Sequence, residues 1–175
     1  MSRSLGNVIA DSLELGLGYG ERLLAGVPAD RFGRLANTGR SPIQSNHPAF
    51  IYGHLSLYGP AIVTHLGGDC ASQGTLDRFE SVFSKDATCQ DDPDGKIYPE
   101  MGEVTTFFFD GYRTAAEMLR AADDQVLQQP NLTGGRMTEL FPTVGSMLAF
   151  YAGGHLMMHL GQMSAWRRMA GLGPA

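Results

Sequence analysis

The sequence has few charged residues and no cluster of basic ones. Only 18% of its 175 residues are charged, and the formal net charge is -5. A protein that binds the phosphates of a nucleic acid needs clustered Lys and Arg side chains. The nearest approach to such a cluster is the pair Arg167 and Arg168, so no nucleic acid is expected as a partner.

Cysteines are scarce and long apolar runs are missing. Cys70 and Cys89 are too few and too isolated for a disulfide framework, and both are expected to be free thiols in a loop. No stretch approaches the run of about 18 apolar residues that a membrane span needs. Residues 1–16 lack the continuous apolar core of a signal peptide. We therefore expect a cytoplasmic protein with no membrane partner.

Several catalytic signatures are also absent. There is no Gly-x-Ser-x-Gly nucleophile elbow, no P-loop and no Glu-x-x-His pair of a di-iron bundle. In HLMMH (155–159), Leu156 stands where a zinc peptidase of the HExxH type carries its general base. The acidic DDPD (91–94) lacks the spacing of an EF-hand and is expected to be a solvated turn.

Apolar residues recur every three or four positions in four long segments. These segments cover about residues 4–25, 47–66, 99–129 and 142–169, and their period is typical of amphipathic helices. Pro60 predicts a kink in the second segment, and Asn46 is expected to cap its start.

The connections between these segments are unequal in length. Residues 67–99 form a long, polar connection in which 75–84 is expected to be a short helix, and 130–142 is expected to be a loop. No segment alternates as a half-buried strand does. The pattern predicts an all-α protein, a four-helix bundle with one long crossover, in a single domain spanning 1–175.

Two histidines, His155 and His159, lie four residues apart in the apolar run GGHLMMHLGQMSAW (153–166). Residues i and i+4 share one face of a helix, so both imidazoles can reach one ion at about 2.0–2.1 Å. Two interpretations stay open: metal ligands, or core histidines with satisfied hydrogen bonds. Gln162 either hydrogen-bonds near an ion or has a structural role. The face that carries them is expected to be buried; it comprises Val144, Leu148, Tyr151, His155, His159, Gln162 and Trp166.

A divalent site usually needs a third protein ligand. His47, His54 and His65 fall within about 20° of one stripe of the second helix, so their facing does not choose between them. His54 is favoured because it lies in the middle of an apolar run. His47 is at the helix start, where a capping or solvent role is expected, and His65 is at a frayed end.

Two stretches together resemble the DinB-like superfamily. They are NHPAFIYGHLSLYG (46–59) and GGHLMMHLGQMSAWRR (153–168), which match its GHL-type histidine in the second helix and its HxxxHxGQ signature in the fourth. RFESVFSKDA (78–87), YPE (98–100) and FPTVGSMLAFYAGGH (141–155) also resemble segments of that family. The resemblance therefore covers most of the chain.

The resemblance implies a four-helix bundle in up-down-down-up order, with the long connection between the second and third helices. It also implies a divalent ion, often nickel or zinc, held by three histidines, which by motif are His54, His155 and His159. Homodimers are common in the family. Its characterised members include thiol S-transferases that use low-molecular-weight thiols, and an isomerase that uses the same kind of thiol.

Three functions are compatible with such a site. The leading hypothesis is a metal-dependent thiol S-transferase acting on electrophilic small molecules, because a three-histidine site leaves coordination positions open and a metal lowers the pKa of a thiol. The second is a hydrolase with a metal-activated water and Glu103 or Asp110 as base. The third is a non-enzymatic metal-binding bundle in stress response. Histidine ligands suit zinc, nickel, copper and iron alike.

Overall fold

The computed structural model describes residues 3–69 and 71–175, and this part of the chain consists of helices and connecting loops. It contains no strand; the extended pairings are the isolated bridges Asn37–Pro42 and Pro130–Thr143. The predicted all-α class is therefore confirmed. Cys70 lies outside the described residues. Among the described helices, none is both long and apolar enough to cross a membrane.

The helices correspond to the predicted segments, with subdivisions. Ser4 begins the first helix by accepting a hydrogen bond from the Asn7 N–H. In chain order the elements are α1 (Leu5–Leu24), a 3₁₀ turn (Ala29–Arg31), α2 (Pro48–Ser56), α3 (Tyr58–His65), α4 (Gln73–Phe83), α5 (Met101–Ala121), α6 (Asp124–Leu127), α7 (Gly135–Leu140), α8 (Val144–Ala149), a π-helix (Phe150–His155) and α9 (Leu156–Met169).

The second predicted segment is divided at Leu57, between α2 and α3. Pro60 has no N–H to donate to the carbonyl of Ser56, and its ring would clash with that carbonyl in a continuous helix. At the division, the N–H of Leu57 bonds to the carbonyl of His54, three residues earlier, at 3.3 Å. An interruption of the segment near Pro60, expected as a kink or an early end, is therefore present, and it falls three residues before the proline.

Two boundaries differ from the sequence prediction. The third segment ends at Ala121 instead of near residue 129, because Asp123 accepts a hydrogen bond from the Gln125 N–H and starts the separate helix α6. The region 130–142 is not wholly loop, since it contains α7. The fourth segment has the predicted extent but includes a π-helix that periodicity does not reveal.

The packing of the long helices brings the histidine-bearing segments together. Helix α5 packs against α1, α2 and α3, and α9 packs against α1 and α2, while the π-helix contacts α3. The largest side chains between these helices are fully buried: Leu13, Tyr52, Phe108, Tyr112, Leu119 and Trp166. As a result, α2 and α9 are neighbours although about a hundred residues separate them in sequence.

The basic pair near the C-terminus is part of this packing. Arg167 is only 5% exposed, and its guanidinium donates to the carbonyls of Leu23 at 2.8 Å and Ala25 at 2.6 Å. It therefore satisfies carbonyl groups at the end of α1 that have no partner within that helix. Arg168 is exposed and bonds to Ser164. The pair does not form a basic patch.

The acidic DDPD segment (91–94) is anchored, so the prediction of a solvated turn is wrong for its first two residues. Asp91 accepts two hydrogen bonds of 3.0 Å from Arg34. Asp92 is 6% exposed and accepts the backbone N–H groups of residues 96–98 at 2.9–3.2 Å. Burial raises the pKa of Asp92, but these donors outweigh burial, and the net pKa is lowered.

The close contact between α3 and α5 depends on Gly59. A Cβ atom added there would lie 2.6 Å from the carbonyl carbon of Gly111 and 2.7 Å from the backbone nitrogen of Tyr112. Because both contacts are with backbone, we expect Gly59→Ala to lower the free energy of unfolding by about 1–3 kcal/mol. Urea denaturation measures this change.

Gly18→Ala is the matched control, because a Cβ at this helical position meets nothing closer than Arg22 at 3.9 Å. It should raise the free energy of unfolding by up to about 1 kcal/mol through helix propensity. Equal stability of the Gly59→Ala variant and the wild type would contradict the described contact.

Candidate metal centre

The structure brings three histidines from two distant segments together. His54 lies in the last turn of α2, His155 is the last residue of the π-helix, and His159 is one turn further on in α9. One ring nitrogen of each lies within 4.8 Å of the others. The three side chains are only 6%, 6% and 8% exposed. This is the grouping that the sequence predicts; its role in binding a metal stays a prediction.

His54 is held by the last residue of α4. Its Nδ1 lies 2.8 Å from the carbonyl oxygen of Phe83, so Nδ1 donates and Nε2 keeps its lone pair. Gly53 permits this approach, because a Cβ there would overlap the ring of Phe83. The ring of His54 is also parallel to that of Phe50, at a centroid distance of 6.3 Å. Its orientation is therefore fixed on two sides.

His159 is oriented by a short chain of amides. Its Nδ1 lies 3.0 Å from Oε1 of Gln162, and the same oxygen accepts from Nδ2 of Asn46 at 3.0 Å. Because this oxygen can only accept hydrogen bonds, Nδ1 of His159 must carry the proton. The lone pair of His159 is therefore on Nε2. Gln162 thus bonds to a site histidine and is itself exposed, not buried as the sequence suggests.

His155 differs from the other two because its Nδ1 is buried without a hydrogen-bond partner. Its Nε2 lies 3.3 Å from Nε2 of His54. Its ring is next to Tyr58, at a centroid distance of 4.2 Å, and to Phe150, at 5.5 Å. The interpretation as fully satisfied core histidines therefore does not hold for His155.

All three imidazoles favour the uncharged form. Burial, followed by the neighbouring His159 and His54, lowers the pKa of His155 to about 3. Burial also lowers the pKa of His54 and of His159. Metals bind the neutral imidazole, so these side chains are in the binding form at neutral pH.

The spacing of the nitrogens suits a metal ion. Two ligand atoms about 2.0–2.1 Å from one tetrahedral ion are about 3.3 Å apart, and the His54 and His155 Nε2 atoms are separated by 3.3 Å. The Nδ1 atoms of His54 and His159 each donate to an acceptor. This fixes the tautomer in which Nε2 has a free lone pair, as a metal-binding imidazole needs. The donor set of three imidazoles fits zinc, nickel, copper or iron.

The remaining histidines have other roles. His47 is fully buried and caps α2: its Nδ1 accepts from the Phe50 N–H at 3.2 Å and its Nε2 donates to the Gln90 carbonyl at 2.8 Å. The capping role expected for His47 is confirmed, and that expected for Asn46 is wrong. His65 is exposed at the end of α3.

The carboxylates that a hydrolase would use as bases have partners elsewhere. Glu103 pairs with Arg78 on α4, and Asp110 lies 3.5 Å from Arg113 one turn further along α5. Within the part of the chain that the structure describes, no Asp or Glu joins the histidine cluster. The three imidazoles contact aromatic rings, the side chain of Gln162 and a backbone carbonyl.

Comparison of the chain with known proteins identifies no relative. No protein-family model matches the chain, no curated protein matches it, and no solved structure matches it.

Sequence reasoning placed Tyr151 on the face of His155 and His159 but missed two other neighbours of the cluster, Tyr58 and the carbonyl of Phe83. Tyr58 and Tyr151 contact each other at a centroid distance of 5.0 Å, and Tyr58 also contacts His54 and His155. Tyr58 is four residues from His54, a spacing that could have revealed it. No sequence pattern could have revealed the carbonyl of Phe83, because every residue has a backbone carbonyl.

Removal of any one histidine of the cluster should abolish stable metal binding. We expect His54→Ala, His155→Ala and His159→Ala to retain no ion after gel filtration of zinc- or nickel-loaded, untagged protein. The wild type should retain one ion per chain by elemental analysis, and the exposed His65→Ala is the matched control. Full metal content in the three variants would show that the ion binds elsewhere.

The side chain of Gln162 should strengthen metal binding by orienting His159, although it does not itself coordinate the ion. We expect Gln162→Leu to weaken zinc binding by about 10- to 100-fold, because the His159 tautomer loses its acceptor. Competition with a chromogenic chelator measures this affinity. Gln125→Leu changes an exposed amide in α6 and should leave affinity unchanged. The orienting role is refuted if the two variants bind zinc equally.

Proposed function

We propose that the chain is a DinB-like four-helix bundle that binds one divalent ion, nickel or zinc, through His54, His155 and His159. In this proposal the four helices are α1, α2 with α3, α5, and α8 to α9 with the intervening π-helix. They run up-down-down-up, and the long connection containing α4 joins the second to the third.

We further propose that the protein is a metal-dependent thiol S-transferase acting on electrophilic small molecules. The observation that carries the proposal is the convergence of three buried, neutral imidazoles whose nitrogens lie within 4.8 Å of one another. Three protein ligands leave at least one coordination position open, which is typical of catalytic sites. An ion bound there would lower the pKa of a thiol and keep its sulfur as a thiolate.

The surroundings of the cluster favour thiol transfer over hydrolysis. Burial raises the pKa of Tyr58 and that of Tyr151 above the ordinary value of a tyrosine hydroxyl. These hydroxyls stay protonated at neutral pH, so they can donate hydrogen bonds but cannot serve as bases. The carboxylates that a hydrolase could use as a base, Glu103 and Asp110, are paired with arginines instead, whereas transfer of a thiol with a lowered pKa does not depend on a carboxylate.

The protein's own residues would orient the reaction. The Phe83 carbonyl and Gln162 would hold two imidazoles in the required tautomers, and the rings of Tyr58 and Phe150 would line the site beside His155. Thiol transfer then forms one bond between sulfur and the electrophilic carbon, and the leaving group departs with its bonding electrons.

Metal-loaded protein should conjugate a thiol with a generic electrophile such as 1-chloro-2,4-dinitrobenzene. Bacillithiol-type, mycothiol-type and glutathione thiols are each tested, and product formation is followed by absorbance. We expect turnover with at least one thiol, and loss of that turnover in metal-free protein and in His155→Ala.

Other outcomes of these assays would identify one of the two alternative functions. Metal-dependent cleavage of esters or amides without thiol conjugation would identify a hydrolase. Metal binding without turnover in either panel would leave a non-enzymatic metal-binding protein. Either result would contradict the proposed transferase activity.

A further inference from the structure

A row of aromatic side chains extends from the histidine cluster toward the surface. We call it the aromatic wall; it consists of Tyr58, Phe141, Phe150 and Tyr151. Ring centroids are 5.0 Å apart for Tyr58 and Tyr151, 6.0 Å for Tyr151 and Phe150, and 4.7 Å for the stacked pair Phe150 and Phe141. Two of its rings also contact His155.

The aromatic wall is half-buried, unlike the core aromatic residues. All four of its side chains keep intermediate exposure, whereas Tyr52, Phe108 and Tyr112 are fully buried. Large apolar groups that remain partly exposed beside a cluster of polar atoms are typical of small-molecule sites. The wall therefore offers ring surface to a ligand at the metal centre.

No cation covers these rings within the described chain. Arginine guanidinium groups lie over other aromatic residues of the protein, namely Tyr19, Phe79, Phe109 and Trp166. None lies over a ring of the wall, so the exposed part of each ring is not covered by an arginine of this kind. The buried Nδ1 of His155, which has no partner, adds a polar group at the inner end.

The composition of the wall indicates the class of ligand. An anionic group placed against uncharged rings would lose its hydration without gaining a partner, because the face of an aromatic ring is electron-rich. A planar aromatic group would instead gain offset or edge-to-face contacts beyond simple burial. The wall thus suits aromatic ligands and disfavours anionic ones.

We propose that the aromatic wall binds a planar aromatic group of the small molecule that occupies the open side of the metal centre. Of two ligands that bind the metal through the same atom, the site would then favour the one with an aromatic ring over its saturated counterpart. This inference rests on the proposed metal centre and names the substrate class of that site.

The test uses a matched pair of thiols and does not require turnover. Benzyl mercaptan and cyclohexylmethanethiol have a six-membered ring on the same one-carbon link, and only the first ring is aromatic. Protein loaded with cobalt(II) is titrated with each thiol, and the sulfur-to-cobalt charge-transfer absorption gives the dissociation constant. We expect benzyl mercaptan to bind at least about tenfold more tightly.

Variants locate the source of that preference. Tyr58→Leu and Phe150→Leu should bring the ratio of the two dissociation constants close to one, while Tyr58→Phe, which keeps the ring, should retain it. Phe109→Leu is the matched control, because Phe109 is half-buried on α5 under Arg113. Visible cobalt(II) absorption verifies that each variant keeps its metal geometry.

The outcomes distinguish this inference from the proposed function. Equal binding of the two thiols by wild type would overturn the role of the wall and leave thiol binding at the metal intact. An equal loss of preference in Phe109→Leu would also overturn it. If cobalt(II) binds but no thiol produces the charge-transfer absorption, the proposed transferase function fails, and this inference fails with it.

Discussion

The burial of three uncharged imidazoles against one another is the constraint on which the candidate site depends. Two lone-pair nitrogens that meet at 3.3 Å need either a shared proton or a shared cation. The surrounding structure fixes the tautomers that metal ligands would need: the Phe83 carbonyl engages Nδ1 of His54, and Gln162 engages Nδ1 of His159. Helix packing of α2 against α9 places these groups within reach of each other.

Much of the helical framework could be predicted from the sequence because apolar periodicity and proline chemistry are local. The period of the first segment predicts α1 almost to the residue, and Pro60 predicts the break between α2 and α3. The four-residue spacing of His155 and His159, with the apolar context of His54, predicts the cluster itself. Those three residues are the ones that the structure brings together.

Other features depend on tertiary contacts that no local pattern encodes. The π-helix ends at His155, yet its residues have the same periodicity as an α-helix. Asp92 is polar by type but becomes buried because three backbone N–H groups converge on it. Asn46 looks like a helix cap, but its amide reaches Gln162 on α9 while His47 caps the helix.

The central claim is that the three histidines bind one ion together, and X-ray absorption spectroscopy of protein loaded with one equivalent of zinc tests it most directly. Our account predicts three imidazole nitrogens about 2.0–2.1 Å from the zinc, with one position left to solvent or a thiol. A coordination sphere made mainly of oxygen atoms, or one with fewer than three imidazoles, would contradict it.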